Sequence, residues 1–163
     1  MKDLKDLFVH GLRDMYWVEK KLLTELKKMA GKAQNEELSE AFLEHREETQ
    51  GQIERLDKVF KMVDLAPRGE KCDAMEGILG EGKEMMEKCK SDDLLDAIMI
   101  EAGNKVEHYE IASYGSLREF ASKLGLDDAV ELLQQSLEEE SAADEKLSRL
   151  AEGVVNEQAT EAA

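Results

Sequence analysis

The sequence predicts an all-α fold, a four-helix bundle in which two antiparallel helix pairs are joined by one long crossover. Three observations carry that prediction. Apolar residues recur at steps of three and four along four long stretches, and nothing alternates with a strand's step of two. One proline in 163 residues, with 37% charged and 5% aromatic residues, is the composition of a helical protein. The breaks after the first and third long stretches are short, whereas the break after the second is long.

The first long helix spans about 3–30 and ends near Gly31, whose missing Cβ suits a left-handed cap. Asn35 is a suitable N-cap for the second, which runs to about residue 64, and the short link makes the two antiparallel. Pro67, Arg68 and Gly69 break the pattern, and a weaker helix follows over 72–88. It contains Gly77, Gly80 and Gly82, each costing up to ~1 kcal/mol against alanine, which marks it as an accessory helix on the outside of the bundle. Ser91, Asp92 and Asp93 offer caps for the third long helix, to about residue 123. Gly125 closes that helix and Asp127 starts the fourth, which reaches Val154. The bundle is therefore placed at 1–155, with 156–163 a small, polar, flexible C-terminal tail.

At this length the chain suits one domain with a real core. Its 38 acids against 22 bases leave a net charge of −16, which repels phosphate backbones and anionic lipid and favours metal cations as small partners. Nucleic acid and membrane are excluded as partners. No run approaches the ~20 apolar residues of a membrane span, and the N-terminus has no apolar signal segment, so a cytoplasmic protein is expected. Cys72 and Cys89 fit that compartment as reduced thiols; on one helix they would lie ~25 Å apart, beyond disulfide reach, and their spacing is not that of a CxxC motif.

The functional signal is where the apolar stripes are interrupted. In the fourth helix the inward positions read Val130, Leu133, Leu137, Glu140, Asp144, Leu147, Ala151 and Val154, with two acids on consecutive rungs. The first reads Leu12, Tyr16, Glu19, Leu23, Leu26 and Ala30; the second carries His45, Glu48 and Gln52 at its centre; the third reads Ala97, Ile100, Asn104, Glu107, Ile111, Tyr114, Leu117 and Ala121. Polar groups thus stand at mid-length on four faces that ought to be dry. Glu19 and Glu48 are separated by 29 residues and Glu107 and Glu140 by 33, as expected if each helix pair returns to the same height.

Burying an ionised carboxylate costs several kcal/mol, and a domain is stable by only ~5 to 15 kcal/mol, so several unpaired core acids need an escape. Protonation, basic partners and metal cations are the three available. The inward stripes carry no arginine, and Lys105 lies beside its line. Carboxylates with an imidazole in a helical core suit a pair of iron or manganese ions. The alternative is a hydrated, metal-free polar core. Gln52 and Asn104 are read as hydrogen-bonding neighbours of the centre, and Tyr16 and Tyr114 as core aromatics close to it. His108, one residue beyond Glu107, is turned by ~100° toward a neighbouring helix or subunit.

The strings Ala41-Phe42, His45, Glu47-Glu48-Thr49, Gly51-Gln52-Ile53-Glu54-Arg55, Lys71-Cys72, Ala74-Met75-Glu76-Gly77, Lys105-Val106-Glu107-His108-Tyr109-Glu110-Ile111-Ala112-Ser113-Tyr114-Gly115 and Leu137-Glu138-Glu139-Glu140 carry a resemblance over nearly the whole chain. In them the sequence resembles the bacterial YciE/YciF stress-protein family of the ferritin-like superfamily, the YciF branch above all. The resemblance implies a ferritin-like up-down bundle, a homodimer and a link to stress responses. Related rubrerythrins and ferritins place an acid on the first helix, ExxH on the second, an acid or ExxE on the third, and an acid with His or Gln on the fourth. Carried over by position these become Glu19, Glu48, Glu107 with Glu110, and Glu140. Two departures are plain: Gly51 stands where the histidine after Glu48 is expected, with His45 one turn before Glu48 and Gln52 one turn after it, and Asp144 lies four residues after Glu140.

The expected ligand set is therefore Glu19, His45, Glu48, Glu107, Glu110, Glu140 and Asp144, holding two divalent metal ions, iron in preference to manganese. The function that follows is a redox stress protein that oxidises Fe(II) or reduces peroxide, a di-metal oxidoreductase if it is an enzyme. With no CxxC module in the chain, an external electron donor would have to supply the reductant. The competing function is a non-enzymatic metal-binding or protein-interaction stress protein, its polar core free of metal in the latter case.

Overall fold

The computed structural model describes residues 1–161. Its elements are α1 (Leu4–Ala30), α2 (Glu36–Met62), α3 (Asp73–Lys88), α4 (Asp92–Lys123), α5 (Asp127–Leu150), a π-helical turn (Ala151–Val155) and α6 (Asn156–Glu161). The long helices α1, α2, α4 and α5 form a ferritin-like four-helix bundle, with α1 on α2, α2 on α5, α5 on α4 and α4 on α1.

Cross-helix bonds give the directions. Asp96 near the start of α4 accepts the backbone N–H groups of Gln34 and Asn35 beyond the end of α1, while Tyr114, further along α4, meets Glu19 in mid-α1. Those two helices are therefore antiparallel. Glu44, Gln52 and Arg55 of α2 meet Lys146, Glu140 and Ser136 of α5 in descending order, so that pair is antiparallel too. With α2 and α4 thus pointing the same way, the chain must travel back along the bundle between them. The crossover does this, tied to α1 by Arg13–Glu70 at 2.8 Å and by the Glu70 N–H bond to the Arg13 carbonyl, and it carries α3 against α4.

Helix ends follow the capping chemistry. Asp3, Asn35 and Ser91 accept from Asp6, Leu38 and Leu94 as N-caps, and Cys72 Sγ does so for α3. Gly125 closes α4 in the left-handed region at φ +71°. Gly31 does not: its φ is −74° and ψ −10°. The turn there is closed instead by Lys32 and Ala33 N–H groups on the Met29 carbonyl and by the Asp96 carboxylate.

The stripe reading also needs correction at the C-terminal end. Val155 is buried and Val154 is 45% exposed. A π turn inserts one residue into the helical repeat, so inward positions beyond Ala151 shift by one. Residues 156–161, read from composition as part of a tail, continue as α6; the last two residues of that tail lie outside the described residues.

The core is continuous along the bundle, from Phe8, Leu12 and Phe60 at one end to Leu38, Phe42 and Met99 toward the other. Its middle is polar: Glu19, His45, Gln52, Glu107, Glu110 and Glu140 are all buried.

Candidate metal centre

Each buried polar side chain arrives from the inner face of a different stretch of helix. Glu19 comes from α1, His45 and Gln52 from α2, Glu107 and Glu110 from α4, and Glu140 from α5. Donor atoms of His45, Glu107, Glu110 and Glu140 all lie within 4.8 Å of one another. His45 Nε2 is 3.3 Å from Glu107 Oε2 and 3.4 Å from Glu140 Oε2, without the alignment for a hydrogen bond to either.

Around this group the neighbours are specific. Gln52 donates its amide N–H to Glu140 Oε1, and the Tyr114 hydroxyl donates to Glu19 Oε1. Thr49 caps the His45 carbonyl at 2.8 Å. His45 Nδ1 lies 3.2 Å from Glu48 Oε2, so the ring is steered from outside while Nε2 faces the carboxylates.

The charge balance explains how such a group can be buried. Burial pushes the Glu19 carboxyl up to about 8, although the Tyr114 hydroxyl and the His45 charge pull it down. Glu110 is held well above the carboxylate range by burial, then by the charges of Glu140, Glu19 and Glu107. Burial also raises Glu140, outweighing the opposing His45 charge. Glu107 goes the other way: burial raises it, but the adjacent imidazolium prevails and holds it below its ordinary value. For His45 burial opposes protonation, yet Glu107, Glu48 and Glu140 together keep it well above the usual imidazole range. The centre thus shares protons among acids and carries one internal ion pair.

That sharing leaves polar atoms stranded. Glu19 Oε2, His45 Nε2, Gln52 Oε1, Glu107 Oε2, both oxygens of Glu110 and Glu140 Oε2 are buried with no hydrogen-bond partner. Unpaired buried polar atoms are scarce in folded proteins, and here those of His45, Glu107, Glu110 and Glu140 belong to residues that bring ligand atoms within 4.8 Å of one another. Hard carboxylate oxygens with one imidazole fit iron or manganese, and a cation would satisfy the stranded atoms together.

Of the residues singled out from sequence, the structure brings His45, Glu107, Glu110 and Glu140 together, with Gln52 bonded to Glu140, and buries Glu19 against Tyr114. Glu48 stands at the rim, its side chain 43% exposed. The buried line of α2 runs His45, Thr49, Gln52, so the step after His45 is four residues and not three. Asp144 is half-buried and sits 3.3 Å from His108 Nε2, which is itself exposed. Asn104 donates to Ser148 Oγ at 2.9 Å, and Tyr16 packs edge-on to Phe60 beneath the Lys20 ammonium.

The stripe reading missed Arg55. Its side chain is 11% exposed, donates to Ser136 Oγ at 3.0 Å and pairs with Glu139. Its charge reaches Glu19. A long arginine can root outside the stripe and lay its head at the core's edge, which a step-counting rule does not register. A small cavity of about 90 Å³ between α2 and α5 leads past Glu48 and His45 to Glu107, with Glu44 and Lys146 paired at its border.

The comparisons with known proteins agree with this architecture. The model of a family described as a domain of unknown function, DUF892, matches residues 3–160. Protein YciF of Escherichia coli strain K12 is 48% identical over 160 residues, covering 98% of this chain and 96% of the relative. The crystal structure of the E. coli stress protein YciF superposes with a TM-score of 0.90 over 96% of this chain and 99% of its own. YcfI from Rhodopseudomonas palustris does so at 0.88 with 44% identity, covering 90% and 94%. A protein from Xanthomonas campestris at 23% identity and a TM-score of 0.76 shares the fold, with 97% of each chain covered.

Proposed function

The chain belongs to the DUF892 family, and on that premise we propose that it is a YciF-like stress protein whose buried centre binds two divalent metal ions, iron in preference to manganese. The observation that carries this reading is the convergence of stranded polar atoms: His45, Glu107, Glu110 and Glu140, with Glu19 beside them, offer unsatisfied ligand atoms toward a common space. Bound iron would supply one-electron redox chemistry, and oxidation of Fe(II) or reduction of peroxide is the reaction class that follows.

The protein's own contribution is positional. Glu48 fixes the His45 ring from the rim, Gln52 holds one Glu140 oxygen, and Tyr114 holds one Glu19 oxygen, leaving the second oxygen of each acid for a ligand bond. The cavity past Glu44 and Glu48 is an acidic approach for cations. Proton release from Glu19, Glu110, Glu140 and the His45 imidazolium accompanies loading, because each is held protonated in the metal-free centre and must lose its proton to coordinate.

The same raised carboxyls favour a second reading, in which protonation alone lets the core persist without metal and the protein acts by binding a partner. Anaerobic addition of Fe(II), followed by air, separates the two. Stoichiometric binding of two ions with oxygen uptake and a near-ultraviolet absorbance rise supports the redox reading; binding without oxidation supports a metal-binding protein that is not an enzyme. No binding to the wild-type chain, with elemental analysis showing no iron or manganese after chelator-free purification, would overturn the metal centre.

A further inference from the structure

We propose that the groove between α1, α3 and α4 is a binding site for a free single-chain carboxylate, an amphiphile whose hydrocarbon tail lies in the groove and whose head is held by lysines at its mouth. The groove encloses about 350 Å³, within the ~300–1,000 Å³ usual for small-molecule sites. It exists because α3 packs on α4 rather than filling the gap toward α1. At Gly82 a Cβ would come within 3.0 Å of Ala102 Cβ, so the glycine lets α3 close against α4 at that point.

The walls are apolar: Leu22 and Leu26 of α1, Ile78 and Leu79 of α3, and Phe42 and Val106 deeper in. The mouth is basic, with Lys21, Lys28, Lys32 and Lys83 against Glu25 and Glu76. In a chain of net charge −16 this is a local reversal of sign. Lys21 and Lys28 share the one carboxylate of Glu25, at 3.7 and 3.0 Å, and Lys32 makes no ion pair among the described residues. Exposed ammonium groups on flexible stems over an apolar slot match an acid head on a hydrocarbon tail. Nucleic acid and a neutral oil each match only one half of that surface, and a cation matches neither. Glu107 also lines the groove, so its occupant would lie against the candidate metal centre from the α1 side.

The proposal does not depend on the metal reading, and metal-free full-length protein tests it by calorimetric titration with decanoate, decanol and acetate. Saturable binding of decanoate at one site is expected, with decanol weaker by about tenfold and acetate silent. The surface variant Lys28→Glu with Lys32→Glu should weaken decanoate by about tenfold while leaving the circular dichroism unchanged. Leu79→Trp, filling the groove from a half-buried position, should abolish binding. Absence of saturable binding, equal affinity for decanol, or indifference to the lysine reversals would overturn the proposal. A change of oligomeric state by light scattering in the lysine variant would do the same, by assigning the groove to a second copy of the chain.

Discussion

Neither carboxyl oxygen of Glu110 has a hydrogen-bond partner, and Glu140, Glu19 and Glu107 all press on it electrostatically. A group so placed is retained at a cost in stability, which a cation would offset. Glu110→Gln keeps the shape and removes the charge. The metal-free variant should be more stable than wild type by about 1–3 kcal/mol at mildly alkaline pH and should hold less metal. Thermal unfolding with and without chelator, beside elemental analysis, checks both halves; a variant with unchanged metal content would remove Glu110 from the ligand set. Tyr114→Phe acts oppositely. It strips Glu19 of its buried donor and should cost about 1–3 kcal/mol in urea unfolding, more at high pH, where Glu19 is ionised. These acids were legible in the sequence because a carboxylate on a dry stripe is anomalous whatever the details. Glu48 was harder to place, since both 48 and 49 satisfy a step of three or four from His45, and only the packing of α2 within the bundle decides that Thr49 turns inward.

Among the elements, the helix starts were readable because caps are local chemistry: Asn35 and Ser91 each serve the N–H three residues on. Long-range anchors were not. Asp96 looks like an ordinary acid near a helix start, yet it is buried and clasps the N–H groups of Gln34 at 2.9 Å and Asn35 at 2.7 Å, about 60 residues away in sequence. It thereby fixes where α1 ends, where α2 begins and how both meet α4. Asp96→Ala should therefore cost about 2–3 kcal/mol in urea unfolding while leaving metal stoichiometry intact. Loss of metal together with stability would mean that this turn also sets the height of His45. The π turn at Ala151–Val155 was equally invisible, because a one-residue shift in an apolar stretch leaves Val154 and Val155 as interchangeable candidates until the backbone bonds are known.

For the whole molecule the controlling quantity is the proton balance of its centre. Glu19, Glu110 and Glu140 have folded-state pKa values above those of unfolded carboxylates, about 8 for Glu19, so the native state holds protons that the unfolded chain has released. The stability they contribute is complete below the unfolded value of ~4.5 and is lost as pH rises through the folded one. Glu107, held low beside His45, has the reverse sign and is lost on acidification. The Glu107 change falls below pH ~4.5, so in the neutral range the three raised acids and the raised His45 imidazole act together and make metal-free protein lose stability between about pH 5 and pH 8. At the proposed centre a bound metal would oppose that slope. A divalent cation binds the ionised carboxylates, so its stabilisation grows as protons leave, following the ratio of free metal to dissociation constant. The melting temperature of metal-free protein should fall between about pH 5 and pH 8, and the increment from saturating Mn(II) or anaerobic Fe(II) should rise over the same interval. An increment that is flat with pH would show that the bound cation sits on surface acids, which are already ionised throughout that interval, and not on the buried ones.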